Sequence, residues 1–267
     1  MNLVLGATHK LDWDVLRPFV VSLRNTGYDG RIMFIVAETD DDTLYALEQH
    51  GVELVAASNQ EQLESVSINC LRYFLYQQIL SSLDDDVENI FIADVRDVIF
   101  QRDPFTMPMD NQLCCFQEDL DIRFCMINSW WILSAFGAQV WENCSNKKIV
   151  CSGTTLGPRA LMIAYVDKMV ETLNGLLSTL PNMVGDFGGI DQGVHNYLIH
   201  EKHIAPVRLH NNETGPLFTM HHSAWKAVNS DASGALLNGE NEVFHVIHQY
   251  DRVLEVANNL HAIFAKE

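Results

Sequence analysis

Short apolar runs alternate with amphipathic stretches from Asn2 to Ala93, and this rhythm narrows the fold more than any other feature of the chain. Asn2–Ala7, Ile32–Val36, Val52–Val55 and Asn89–Ala93 are short and almost continuously apolar. Runs of that kind suit strands covered on both faces. Between them, Asp12 is placed to cap a helix carrying Leu16, Phe19, Val20 and Leu23 on one face, with Pro18 near its first turn. Asp40-Asp41-Asp42 opens a second helix that Gly51 ends, and Ile68–Leu83 reads as a third. Strands and helices in strict alternation predict an α/β fold with a mostly parallel central sheet.

The second half is less regular. Gln112–Gln117, Ile204–Leu209 and Val243–Ile247 read as strands, and Gly157–Leu177, Asp191–His200 and Tyr250–Ala265 as helices. Ile127–Phe136 is aromatic-rich and is expected to pack over the sheet. Asn211–Asn241 carries the weakest regular signal and is expected to be a mobile loop over a site. With no repeat and no Pro/Ser-rich linker, the 267 residues, 48% of them hydrophobic, are expected to form a single domain with a sizeable core.

Charge excludes whole classes of partner. Seventeen Lys and Arg stand against 35 Asp and Glu, a formal net charge of −18. Such a surface repels phosphate backbones and anionic lipids, so nucleic-acid and membrane-surface binding are disfavoured. No run reaches the roughly 18 apolar residues of a transmembrane helix, and Met1–Gly6 lacks the features of a signal peptide. None of the six cysteines forms a Cys-x-x-Cys pair. Buried free thiols in a reducing, cytoplasmic compartment are the expectation, rather than zinc or disulfides.

Neither G-x-G-x-x-G after the first strand nor G-x-x-x-x-G-K-[ST] nor G-x-S-x-G occurs, which disfavours dinucleotide oxidoreductases, P-loop NTPases and α/β-hydrolases. Four segments carry chemistry instead. In Ile90–Phe100 an apolar strand runs into Asp94 and Asp97. Ligands of open α/β sheets bind at the carboxyl ends of strands, and two acids there can hold a divalent cation against a diphosphate. The plainer reading is a turn cap at Asp94 and an ion pair of Asp97 with Arg96 or Arg102. His248, where another strand is predicted to end, is either a third ligand or a satisfied histidine near a helix start. Gly188-Gly189-Ile190-Asp191-Gln192-Gly193 offers close backbone approach, a carboxylate and an amide, or simply an N-cap. Cys151-Ser152-Gly153-Thr154-Thr155-Leu156-Gly157 reads as a small-residue turn into a helix, with amides and hydroxyls suited to a sugar.

In this order the segments resemble the GT-A-fold glycosyltransferases, in particular a group with the motif DVRDVxFQxDPF, which Asp94–Phe105 matches closely. Arg72-Tyr73-Phe74-Leu75-Tyr76, Cys151-Ser152-Gly153, Asp191–Asn196 and His248–Arg252 resemble further motifs of that group, so the likeness spans Arg72 to Arg252. The resemblance implies a nucleotide-binding half, about 1–110, and an acceptor-binding half, about 111–267. It implies transfer of a sugar from a nucleoside-diphosphate donor (UDP or GDP) to a hydroxyl of a glycan or small molecule, with Mn²⁺ or Mg²⁺. Asp97 fits the last Asp of the family's D-x-D, Asp94 is displaced by one from the first, and His248 fits a third metal ligand. Arg72 and the Asp94-Val95-Arg96-Asp97 stretch fit the diphosphate side, and Ala7 and Thr8 the loop under the base. Asp191 and Gln192 fit the pair facing the sugar, with Ser152 and Gly153 beside the acceptor. Inversion would use Asp191 as the base, with Asp186 behind it, and retention would set Asp191 or Gln192 facing the sugar; the sequence is compatible with both. Two other readings stand beside this one. A nucleotidyltransferase would need a better phosphate loop than Gly6-Ala7-Thr8-His9-Lys10, and a non-catalytic sugar-nucleotide or glycan-binding protein would bind without turnover.

Overall fold

The computed structural model describes residues 1–57, 66–185, 189–221 and 223–264; Asp186 and Gly188 lie outside the described residues. The first half follows the sequence pattern closely. Strands β1 (Asn2–His9), β2 (Arg31–Ala37) and β3 (Val52–Ala56) are separated by helices α1 (Trp13–Asn25) and α2 (Asp41–Gln49). Asp12 and Asp40 accept from the backbone N–H groups of Val15 and Thr43, the capping bonds that fix where these helices start. Helix α3 (Ile68–Ser82) leads to β4 (Asn89–Ala93) and the short β5 (Val98–Phe100).

After that come β6 (Leu113–Asp121), α4 (Met126–Cys144), β7 (Lys148–Pro158), α5 (Arg159–Thr179), α6 (Pro181–Val184) and α7 (Ile190–His200). Strands β8 (Val207–His210), β9 (Leu217–Thr219) and β10 (Val246–His248) precede the last helix, α8 (Leu254–Phe264). Seven strands form one sheet in the order β3-β2-β1-β4-β7-β6-β8, and β5-β10-β9 form a smaller one. In the large sheet only the two pairings of β7 are antiparallel.

Alternation along the buried strands feeds two cores. Leu3 and Leu5 of β1 pack with α3, α5 and α7 on one face, while Val4 joins Phe34, Phe91 and the α1 side chains Leu16, Phe19 and Leu23 on the other. Covering both faces removes the polar alternation of a half-exposed strand, which is why these strands read as continuous apolar runs.

Two expectations change. Residues 151–157 are not a turn into a helix but the interior of β7, and the helix begins only at Arg159. β7 lies between β4 and β6, where Ser152, Thr154 and Thr155 are buried as strand residues despite their polar side chains. Asn211–Asn241, expected to be a loop, contributes β9 to the small sheet. The aromatic-rich Ile127–Phe136 is helical and forms the first part of α4, which kinks at Gly137, φ 82°.

Candidate active site

The site is assembled at the edge where β1 and β4 end. The parallel register Leu5↔Ile92 brings Ala7 and Thr8 to the level where Asp94 leaves β4. Thr8 is buried, and its Oγ1 has no hydrogen-bond partner among the described residues. Asp97 directly precedes β5, whose antiparallel pairing Val98↔His248 sets His248 beside Asp97. The turn after β10 locks this arrangement. Gln249, in the left-handed region at φ 58°, donates its N–H to the Asp97 carbonyl at 2.8 Å. Arg96 pairs with Asp251 at 2.9 Å, and Tyr250 donates its hydroxyl to the Arg96 carbonyl. Val95 is buried in the core against Gly6, so its side chain belongs to the packing.

Asp94, Asp97 and His248 thereby offer two carboxylate oxygens and one imidazole nitrogen within 4.8 Å of one another. His248 Nε2 stands 3.7 Å from Asp94 Oδ2 and 3.6 Å from Asp97 Oδ1. These separations are too long for hydrogen bonds but match the roughly 3–4 Å between donors that share one cation. His248 Nε2 and Asp97 Oδ1 are buried and have no hydrogen-bond partner among the described residues. Unpaired buried polar atoms are costly, and a divalent cation would satisfy all of these donors together. Burial alone would lower the His248 pKa; Cys151 and the two carboxylates outweigh it and raise it well above the usual imidazole range. Burial likewise works to raise Asp94, but the Arg72 guanidinium and His248 hold it well below the usual carboxylate range. Strong positive charge is thus favoured at the point where the three side chains converge.

Arg72 joins this cluster to Asp191. Its guanidinium, buried on α3, donates from Nη1 to Asp94 Oδ1 and from Nη2 to Asp191 Oδ2, the latter at 2.9 Å. Ser152 Oγ donates to the same Asp191 oxygen at 3.1 Å. Burial raises the Asp191 pKa against the pull of Arg72.

A wide irregularity in β7 explains the remaining motif residues. Between the pairs Cys115↔Thr155 and Gln117↔Val150, β7 advances five residues while β6 advances two. The three extra residues bulge from the ladder, as strands often do beside sites. β4 ends opposite Thr154, so no strand of the sheet covers Val150–Ser152 on that side. Helix α7 fills the gap with side-chain amides. Gln192 accepts from Ser152 N at 2.7 Å and donates to Val150 O at 2.8 Å, and Asn196, one turn on, pairs with both backbone groups of Val150. In this structure both ends of the Gln192 amide are therefore engaged with backbone. At Gly189, φ 101°, the space is filled by Trp131, whose Cζ2 lies 2.6 Å from where a Cβ would stand. An indole of the same chain, not a ligand, makes the close approach there.

The bulge brings Gly153 against the cluster. A Cβ on Gly153 would lie 2.5 Å from Asp94 Oδ2 and 2.6 Å from His248 Cε1. Gly153→Ala should therefore displace both side chains and lower the urea midpoint. Gly175→Ala is the control: it is in an exposed helical position with nothing within 4 Å, and should add about 0.5–1 kcal/mol of stability. An unchanged midpoint in Gly153→Ala would contradict this account of the cluster.

One buried acid escaped the sequence reading. Glu118 of β6 is 6% exposed, and burial pushes its carboxyl up to about 7. The available signal was alternation: Cys114, Phe116 and Glu118 fall on one face of the strand, and an acid in that series faces inward.

These features define the class of fold as GT-A, and solved structures agree. The chain superposes on an active-site variant of LgtC, in which a glutamine is replaced by glutamate, with a TM-score of 0.60 at 14% identity, covering 97% of this chain and 96% of that one. Galactosyltransferase LgtC in complex with donor and acceptor sugar analogues gives 0.57 at 13% identity with the same coverage. At such identity the likeness is one of fold. No protein-family profile matches the chain, and a search of curated proteins finds no match. No helix among the described residues is long and apolar enough to cross a membrane.

Proposed function

We propose that the protein is a divalent-cation-dependent glycosyltransferase that moves a sugar from a nucleoside-diphosphate donor, UDP- or GDP-linked, to a hydroxyl of a glycan or small molecule. The observation that carries this reading is the Asp94–Asp97–His248 cluster at the carboxyl edge of a GT-A sheet. A structural neighbour, LgtC, is a galactosyltransferase solved with donor and acceptor sugar analogues. Asp97 and His248 would hold the cation, with Asp94 completing the protein's share. One imidazole among oxygen donors suits Mn²⁺ better than Mg²⁺. The cation supplies charge that offsets the leaving diphosphate.

The chain's own residues divide the remaining work. Ala7 and Thr8 lie on the base side of the donor, in the half spanning about 1–110. Arg72 orients Asp94 and Asp191 together and lends positive charge to the diphosphate side, where Arg96 stands at the rim. Asp191, supported by Arg72 and Ser152, is the carboxylate beside the reacting carbon, and burial moves it toward the range of a general base. Gln192 acts through the β7 backbone by fixing the bulge that carries Ser152 and Gly153 to the acceptor.

Isothermal titration of UDP and GDP with and without Mn²⁺ tests the reading. One nucleotide should bind much more tightly with Mn²⁺, and the metal more tightly with that nucleotide, because binding free energies couple reciprocally. Asp97→Ala and His248→Ala should each remove the enhancement, and Asp97→Ala should abolish transfer from a panel of sugar nucleotides. Nucleotide binding that ignores Mn²⁺ and survives both substitutions would overturn the proposal. Metal-dependent binding with neither transfer nor hydrolysis across the panel would favour a binding protein.

A further inference from the structure

We infer that Cys151 is a positioning residue for the cation site: its sulfur holds His248 through Nδ1 and so aims Nε2 at Asp94 and Asp97. The inference rests on the cation reading of the Asp94–Asp97–His248 cluster and adds the group that orients its one imidazole. His248 is fully buried, and its two ring nitrogens face different neighbours. Nε2 faces the carboxylates without a hydrogen-bond partner among the described residues. Nδ1 lies 3.6 Å from Cys151 Sγ, within reach of a hydrogen bond to sulfur.

A neutral imidazole carries one proton. When Nε2 ligates a cation that proton sits on Nδ1, and it needs an acceptor to fix the tautomer and the ring plane. Carboxylates, backbone carbonyls and water usually serve; here the acceptor is a thiol. The sulfur is itself held. Gln249 Nε2 donates to it at 3.8 Å. The Cys151–His248 contact thus joins the β7 bulge to the end of β10. The bulge that sets Gly153 against Asp94 also sets Cys151 against His248, so one backbone feature shapes both sides of the cluster.

Replacing the thiol separates hydrogen bonding from volume. Cys151→Val keeps a side chain of similar size without an acceptor, and Cys151→Ser keeps an acceptor. The readouts are Mn²⁺ affinity by titration of the metal alone and the imidazole nitrogen coupling of bound Mn²⁺ by electron spin echo spectroscopy. The expected results are a loss of about 10–100-fold in Mn²⁺ affinity for Cys151→Val, with the nitrogen coupling weakened, and substantial rescue of both by Cys151→Ser. If Cys151→Val unsettles the bulge, as judged by its melting temperature, Cys151→Ala provides the same comparison without branching at Cβ. Wild-type affinity and coupling in a folded Val or Ala variant would overturn the role of Cys151 and leave the cation site standing. Absence of Mn²⁺ binding in the wild-type protein, even with UDP or GDP present, would overturn the site and this inference together.

Discussion

Arg72→Ala is expected to destabilise the protein by about 3–5 kcal/mol, the range for removing one partner of a buried ion pair. Arg72 and Asp191 are 7% and 2% exposed, so little water reaches Asp191 once the guanidinium is gone. Ser152 Oγ would be left as a neutral donor to a buried carboxylate. An arginine inside an apolar helix calls for an anion, a phosphate or an aspartate such as Asp94; in the structure it meets two carboxylates, Asp94 and Asp191. The variant should therefore lose stability along with nucleotide affinity, because Asp94 and Asp191 lose their common anchor. Arg72→Lys should recover only part of the loss, since an ammonium cannot span both carboxylates as a planar fork does. Combining Arg72→Met with Asp191→Asn should recover more stability than Lys does, by removing the orphaned charge. Urea unfolding at pH 7.5 measures all three. A stability change below 1 kcal/mol for Arg72→Ala, with nucleotide affinity lost, would mean that the arginine serves a ligand and not these acids.

The first half was legible because each signal there is local. Asp12 and Asp40 each cap the helix that follows by accepting from the N–H three residues ahead, and β1, β2 and β4 are buried on both faces, so their residues alone announce them. β7 was misread because its small polar residues carry turn propensity, and what holds them in a strand comes from elsewhere. β4 and β6 flank it, and the amides of Gln192 and Asn196, about 40 residues further along, satisfy its bulge. The association of Asp97 with His248 was expected for the wrong reason. Parallel strands ending on one edge were expected to unite them; instead Asp97 directly precedes β5, and an antiparallel pairing in the smaller sheet brings His248 alongside. Arg72 bridging Asp94 and Asp191 was half legible: an arginine in an apolar helix calls for an acid such as Asp94, whereas Asp191, 119 residues away, depends on how the layers stack. Glu118 was hidden in the same way, its inward face fixed by the register of β6.

Mild acid should destabilise this protein through its buried histidines. His195, His200 and His210 are buried, at 0%, 7% and 8% exposure. Burial lowers their pKa values from 6.5 to about 3, 4 and 4 respectively. Each has a neutral role: His195 Nδ1 pairs with the Tyr165 hydroxyl, His200 Nε2 with the Lys148 carbonyl, and His210 stacks on Phe116. A depressed folded-state pKa gives stability that is present above the unfolded value of 6.5 and is lost as pH falls toward the folded value. From pH 7 to pH 5 each histidine should therefore remove about 2 kcal/mol, or about 6 kcal/mol for the three. Glu118 acts in the opposite sense. Its folded pKa of about 7 lies above the ordinary 4.5, so protonation over the same interval should return about 2 kcal/mol. For these four groups together the loss is about 4 kcal/mol, a large share of the 5–15 kcal/mol typical of a folded protein; His245, lowered to about 4, adds to it and His248, raised, opposes it. The urea midpoint should fall clearly between pH 7 and pH 5. His210→Phe, which keeps the stack on Phe116 and removes the proton, should soften the fall by about 2 kcal/mol. A midpoint that holds steady across that interval would show that the histidines accept protons without leaving their buried sites.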